Sequence, residues 1–341
     1  MRLPLPLLRS RRPAGKRRAE RPRLEAVERR LLLASDVFLV DTAADDGPGS
    51  LRWAIGQVNA GTSAEPGTIR FAIPGDGPAT IRPLSPLDPI ARPVFVEARA
   101  ADGSPTVRLD GSVAGSGANG LVVTGGGSVV AGLIVTGFSG AGIVLGGAGG
   151  DFVESCYVGL VPGAGGLAPA TAPNGIGVLI AAASGQTIGG PDGRGNVIAG
   201  NRGEGVLIAS ATPGDSADNA VVGNWIGADA AGAAGLGNGR DGVVFSGATL
   251  GRIKDNVVSG NLGGGIVLKD RAAGNLVVGN VVGLAPDGLT PLENCRDGVL
   301  VDGAPENAIG GPGPALANRI SANGGSGIRA RGGSTGLTIQ G

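Results

Sequence analysis

GVVFSGATLGRIKDNVVSGNLGGGIVL, residues 242–268, decides the fold. A glycine-led apolar triplet at 242 returns at 265, and the 23 residues from one to the next hold GRIKDNVVSGN. A strand, a turn and another strand fit in that span, and little in it has helical periodicity. Working outward, the same glycine-led triplet starts at 120, 142, 177, 205, 242, 265 and 298 and, more weakly, at 327. The steps of 22, 35, 28, 37, 23, 33 and 29 residues are those of a solenoid. Consecutive coils must pair equivalent strands in parallel, and parallel crossovers are right-handed. The expected fold is all-β, a right-handed parallel β-helix of roughly eight to ten coils.

A second phrase runs through the repeat. NVIAGN (196–201) returns as NVVSGN (256–261) and as NRISAN (318–323). Asn196, Asn256 and Asn318, and likewise Asn201, Asn261 and Asn323, recur every second coil, while Asn224 and Asn280 occupy alternate ones. Asparagine tolerates the left-handed backbone of sharp corners. Stacking also brings like amides to about 4.8 Å, where they can bond into a ladder. These eight asparagines are therefore expected to be structural. Cys156 takes the Asn224/Asn280 position in an earlier coil, whereas Cys295 lies in a long excursion about four coils away, so no disulfide is expected. The long coils carry excursions at 158–175, 226–242 and 282–298, each just before the glycine-led strand. Loops on a rigid scaffold are where function varies.

Composition limits the chemistry. The 341 residues include 68 glycines and 23 prolines, yet 42% are hydrophobic, enough to bury a core. Histidine is absent, which removes imidazole as metal ligand and general base, and leaves carboxylates, arginines and Lys16, Lys254 and Lys269. Formal charge is zero, but eleven of the 28 basic and three of the 28 acidic residues lie in 1–35, leaving seventeen against 25 beyond. An acidic body argues against nucleic acid as a partner.

The organisation expected is a basic, disordered leader (1–35), a strand-helix-strand cap (36–83) and the β-helix (84–341), lacking a C-terminal cap or truncated there. The leader has no apolar run of membrane-spanning length, so no membrane span is expected. RLEAVERRLLLASD (23–36) resembles the LEPR-XLL segment of large, repetitive, exported proteins of planctomycete-like bacteria, with Val27-Glu28-Arg29 where that family has Glu-Pro-Arg. The resemblance implies export to the cell surface or medium. DVFLVDTAADDGPGSLRWAIGQVNA (36–60) reads as a strand, a turn and a short helix from Ser50 with Leu51, Ala54, Ile55 and Val58 on one face. TIRFAIPG (68–75) and ATIRP (79–83) follow as strands. This stretch resembles the CSLREA-type segment that opens many secreted bacterial β-helix proteins, which implies a cap on the first coil. Residues 36–341 resemble secreted, pectin-lyase-like β-helix repeat proteins. The C-terminal TGLTIQG (335–341) reads as the opening of another coil, so self-association through that end is expected.

Pectin-lyase-like enzymes act on polysaccharides with clustered Asp/Glu and Arg/Lys on the outer face of one sheet. The residues before the strand glycine are Glu204, Asp241, Gly264 and Asp297 in successive coils, facing Arg202, Arg240 and Arg296. Glu204 and Asp241 are expected about 5 Å apart, a retaining-glycosidase spacing. Lys269 and Asp302, one coil apart after the strand, offer a base and an electrostatic partner. Against catalysis stands the outward stripe of Val122, Val144, Leu179, Leu207, Val244, Val267 and Leu300 before Arg329, an apolar face that needs covering. Glu204, Asp241 and Asp297 are expected to line one edge without a shared, enclosed cleft. The reading drawn from this stripe is a noncatalytic, adhesin-like structural and interaction module, with a polysaccharide or cell-surface protein as partner. The alternative is a polysaccharide lyase or glycoside hydrolase using Glu204, Asp241, Asp297, Lys269 and Asp302. No cofactor or metal is expected: GGAGGDFVE (146–154) is a lone copy of a calcium nonapeptide, and GSGANG (115–120) precedes a strand rather than a helix.

Overall fold

The computed structural model describes residues 36–163, 168–210, 212, 214–229, 231–232 and 236–341. The leader at 1–35 lies outside the described residues. The chain is a right-handed parallel β-helix. Each coil contributes one short strand to each of three sheets, which hold eleven, nine and eight strands among the described residues. The first sheet runs from Val37–Val40 to Thr338–Ile339, the second from Ala79–Ile81 to Arg319–Ile320, and the third from Leu121–Val123 to Ile328–Arg331. Every neighbouring pair in these sheets is parallel, so like residues of successive coils stand in register.

The strand period of two explains the core. Val243 and Phe245, Ile266 and Leu268, and Val299 and Val301 point inward and are fully buried, while the residue between each pair points out. One apolar column, from Val40 to Ile309, fills the interior. At its start the helix Leu51–Ala60 lays Leu51, Ala54, Ile55 and Val58 on the core, the face expected from spacing. Ser50 caps it, its hydroxyl accepting the Trp53 N–H at 3.1 Å. Val37–Val40 pairs with Gly67–Phe71, and Gly67–Phe71 with Val94–Glu97, so this segment is continuous with the first sheet.

The asparagines stack as hydrogen-bonded ladders between sheets. Each Nδ2–H donates to the next coil's Oδ1 along Asn196, Asn224, Asn256, Asn280 and Asn318, at 2.9–3.0 Å. A second ladder runs Asn174, Asn201, Asn238, Asn261, Asn294, Asn323, at 2.9–3.0 Å. The backbone reason for asparagine needs correction. The left-handed residue is the one before the ladder amide: Gly223 at φ +69°, Asp255 at +55°, Gly279 at +67° and Ala322 at +53°. Asparagine is there for its amide, not for its φ.

The excursions leave between the second sheet and the third, the corner that the spacing indicated. The first carries an antiparallel pair, Leu160–Val161 with Ala170–Thr171. Cys156 and Cys295 are both free, the first buried and the second exposed. Cys156 occupies the first ladder's position, its N–H donating to Asn196 Oδ1 at 2.9 Å, and burial pushes its thiol up to about 12. No described helix is long and apolar enough to cross a membrane.

Candidate active site

The glycine that opens each third-sheet strand is preceded by a residue whose side chain can reach the next coil's turn. Asp241 Oδ1 accepts the Gly264 N–H at 2.6 Å, and Asp297 Oδ1 accepts the Ser326 N–H at 2.7 Å. These carboxylates are thereby fixed along the stack. Between them Gly264 has no side chain. A Cβ there would come 3.0 Å from the Asp297 carbonyl oxygen and 3.4 Å from Asp241 Oδ1. The missing side chain opens a cleft of about 360 Å³ lined by Asp241, Asp297, Arg296, Arg329 and Arg331, with Val267 and Leu300 also on its wall.

Two of the three edge carboxylates, Asp241 and Asp297, line one open cleft. Asp241 and Asp297 sit two coils apart, roughly 10 Å by stacking. Glu204 stays out of the cleft and pairs instead with Arg240, at 3.4 Å. It faces Asp241 from the adjacent coil, the Gly205 N–H donating to the Asp241 carbonyl at 3.1 Å. Lys269 and Asp302 are register neighbours at the far end of the strands. Lys269 lies 3.8 Å from Asp270 and does not line the cleft, while Asp302 is tied to Arg331 at 2.8 Å.

The electrostatics of the cleft divide its groups into committed and free ones. Asp297, 14% exposed at its side chain, pairs with Arg329 at 3.2 Å. Arg331 reaches in from the strand end and is held by Asp302. Asp241 Oδ2 makes no hydrogen bond or ion pair among the described residues, and the exposed Arg296 guanidinium makes none either. The cleft thus offers one free carboxylate oxygen and one free bidentate cation, with three arginines against two aspartates. Such a site accepts an anionic group and has an oxygen to take or give a proton. Arg329 and Arg331 are legible in the sequence as outward residues, but that both line the cleft, Arg329 on Asp297 and Arg331 on Asp302, is set by register. Among the described residues no group of three or more His, Cys, Asp or Glu is arranged to hold a metal.

The outward stripe also reads differently in three dimensions. Its residues are in register as expected, but Val144, Val244 and Val267 are buried, and Val122, Leu179, Leu207 and Leu300 half-buried. It is not a bare apolar face waiting for a partner.

No family model and no curated protein sequence matches the chain. Solved structures with a similar fold include the periplasmic alginate epimerase AlgG, at 14% identity over 82% of this chain and 64% of that one, with a TM-score of 0.45. They include the mannuronan C-5 epimerase AlgE4 A-module of Azotobacter vinelandii, at 14% identity over 89% and 76% and a TM-score of 0.41. An alginate lyase from Paenibacillus is similar at 17% identity over 90% and 99%, with a TM-score of 0.40. The chain spans only half of a mutant AlgG chain and 64% of AlgG itself. At such identities the likeness describes fold.

The noncatalytic, adhesin-like reading is corrected here. The stripe that argued against catalysis is mostly covered, and two carboxylates and three arginines meet in one cleft.

Proposed function

We propose that this chain is an exported, polysaccharide-active β-helix, a polysaccharide lyase or glycoside hydrolase whose substrate lies across the cleft between Asp241 and Asp297. The observation that carries the reading is the convergence of these two carboxylates with Arg296, Arg329 and Arg331. Excess positive charge favours an acidic polymer, with the free Arg296 fork taking a uronate carboxylate. For hydrolysis, the separation of roughly 10 Å is near the spacing at which one carboxyl protonates the leaving oxygen and the other activates water. For elimination, Asp241 Oδ2 would remove the C5 proton beside the uronate carboxylate while arginine holds the developing charge, the electron pair would form the C4–C5 double bond as the C4–O glycosidic bond breaks, and the leaving oxygen would take a proton from water.

Export is part of the proposal, supported by the resemblance at 23–36 to LEPR-XLL segments. So is the three-part organisation, with 1–35 as export segment, 36–83 as cap and 84–341 as the coils that carry the cleft.

Incubation with a panel of acidic polysaccharides tests the reading. Unsaturated products identify a lyase, and new reducing ends without unsaturation identify a hydrolase. Asp241→Asn keeps an oxygen for the Gly264 N–H but loses the carboxylate, so product release is expected to fall about a thousandfold or more with melting temperature unchanged. Full activity in that variant, or no product from any acidic polymer, sinks the proposal.

A further inference from the structure

The outer face of the second sheet carries its own groove, away from the carboxylate cleft. Its floor is a stripe in strict register: Thr80, Arg108, Ile134, Tyr157, Val197, Trp225. Two clefts of about 770 Å³ and about 430 Å³ lie along this stripe and share Gly103 and Tyr157, so they form one channel. Its walls are the turns at 75–78, 100–105 and 161–163. Ile134 and Val197 are buried, which leaves the half-buried rings of Tyr157 and Trp225 as the exposed part of the floor. The chain has one tyrosine and two tryptophans, and two of these three stand on this one stripe.

Three observations fix the chemistry of the occupant. Among the described residues each arginine lining the groove is ion-paired with a carboxylate, though Asp110 is shared between Arg108 and Arg82. Arg99 pairs with Glu97 at 2.8 Å and Glu154 at 3.5 Å, Arg194 with Glu154 at 3.4 Å, and Arg108 with Asp110 at 3.5 Å. A polyanion therefore finds no free counter-charge there, unlike in the third-sheet cleft. The floor is a sheet face whose backbone groups are bonded to neighbouring coils, so a peptide strand has no edge to extend. What remains is two aromatic platforms two coils apart, roughly 10 Å, with the Thr80, Ser104 and Thr106 side chains also in the lining. Such a surface suits a polymer with apolar C–H faces and hydroxyl edges and no charge.

We infer that the second-sheet groove binds an extended, uncharged glycan chain, with Tyr157 and Trp225 as stacking platforms. The site is separate from the cleft and does not depend on any activity there. The full chain carrying Trp53→Phe leaves Trp225 as its single tryptophan. Titration with neutral β-glucan and mannan oligosaccharides is expected to give a saturable change in Trp225 emission with at least one of them. The affinity should fall about tenfold or more in Tyr157→Ala. It should fall likewise, read by calorimetry because a second tryptophan is added, in Ser104→Trp, which fills the groove from an exposed rim position and leaves the core alone. Asp241→Asn should bind as the parent does. Oligouronates binding more tightly than every neutral oligosaccharide, no saturable response to any neutral glycan, or a response untouched by Ser104→Trp would each overturn the assignment.

Discussion

Asp151 is the point where one side chain departs from an otherwise regular pattern. A third ladder precedes the first-sheet strands, through Ser128, Asp151, Gln186, Asn219, Asn275 and Asn307. Its asparagines each donate Nδ2–H to a carbonyl of the previous coil: Asn219 to Ala183, Asn275 to Ala248, Asn307 to Ala272, at 2.8–3.0 Å. A carboxylate has no such proton to give. Asp151 Oδ1 accepts the Ser128 N–H at 2.8 Å, but Oδ2 is buried without a partner. Gln186, one methylene longer than its neighbours, likewise leaves Nε2 unpaired. Burial raises the Asp151 pKa, against the opposing bond from the Ser128 N–H. An acid whose folded pKa is raised contributes stability that is complete below its unfolded pKa of about 3.9 and is lost as pH climbs through the folded value. Asp151→Asn restores the donor at all pH values. It is expected to stabilise the fold by about 1–3 kcal/mol at pH 7 and by much less near pH 3. Melting temperatures of both proteins across that range check this, and an Asn variant less stable than the parent at pH 7 contradicts it.

A ladder is worth more than its single bonds because each amide both donates and accepts in a dry interior. Asn256 accepts from the Asn224 N–H and Nδ2–H and donates to Val221 and Asn280. Its replacement by alanine strands buried groups on both sides, so Asn256→Ala is expected to cost about 3 kcal/mol or more. Since coils of a solenoid touch only their neighbours, the damage should be local. Hydrogen exchange in the variant should speed up across 205–298 and stay unchanged across 107–145, whereas a uniform rise would contradict this picture. The third ladder shows how packing interrupts such a row. Gly251 takes its place between Asn219 and Asn275, and a Cβ there would lie 2.6 Å from the Phe245 ring. The one phenylalanine among the inward third-sheet residues claims the space.

The charge of the chain beyond position 35 and that of its cleft have opposite signs. Beyond position 35 there are seventeen basic residues against 25 acidic, yet the cleft gathers three arginines around two aspartates. Attraction of an acidic polymer is thus local, set against repulsion from the surrounding body. Raising salt screens both, and the exposed arginines lose most of their short-range pull. The apparent KM for an acidic polysaccharide is expected to rise several-fold between about 0.05 and 0.5 M salt. Glycan binding on the second sheet should be insensitive over that range. Equal salt dependence at the two sites would argue that charge does not distinguish them.

The coil period, the parallel right-handed winding and the helix face of Leu51, Ala54, Ile55 and Val58 were all legible in the sequence. Each follows from spacing along the chain, which hydrophobic burial reads directly. Eight ladder asparagines were legible for the same reason, but Asn174, Asn238 and Asn294 were not, because they fall in the Gly/Pro-rich excursions of irregular length. The cleft and the aromatic groove belong to the tertiary structure. Asp241 and Asp297 are 56 positions apart and share a space only because Gly264 stands between them in the stack. Tyr157 and Trp225, 40 and 28 residues respectively from their common neighbour Val197, meet on one stripe through register alone. Periodicity says that coils stack; which side chains then face one another depends on how many residues each excursion spends outside the helix.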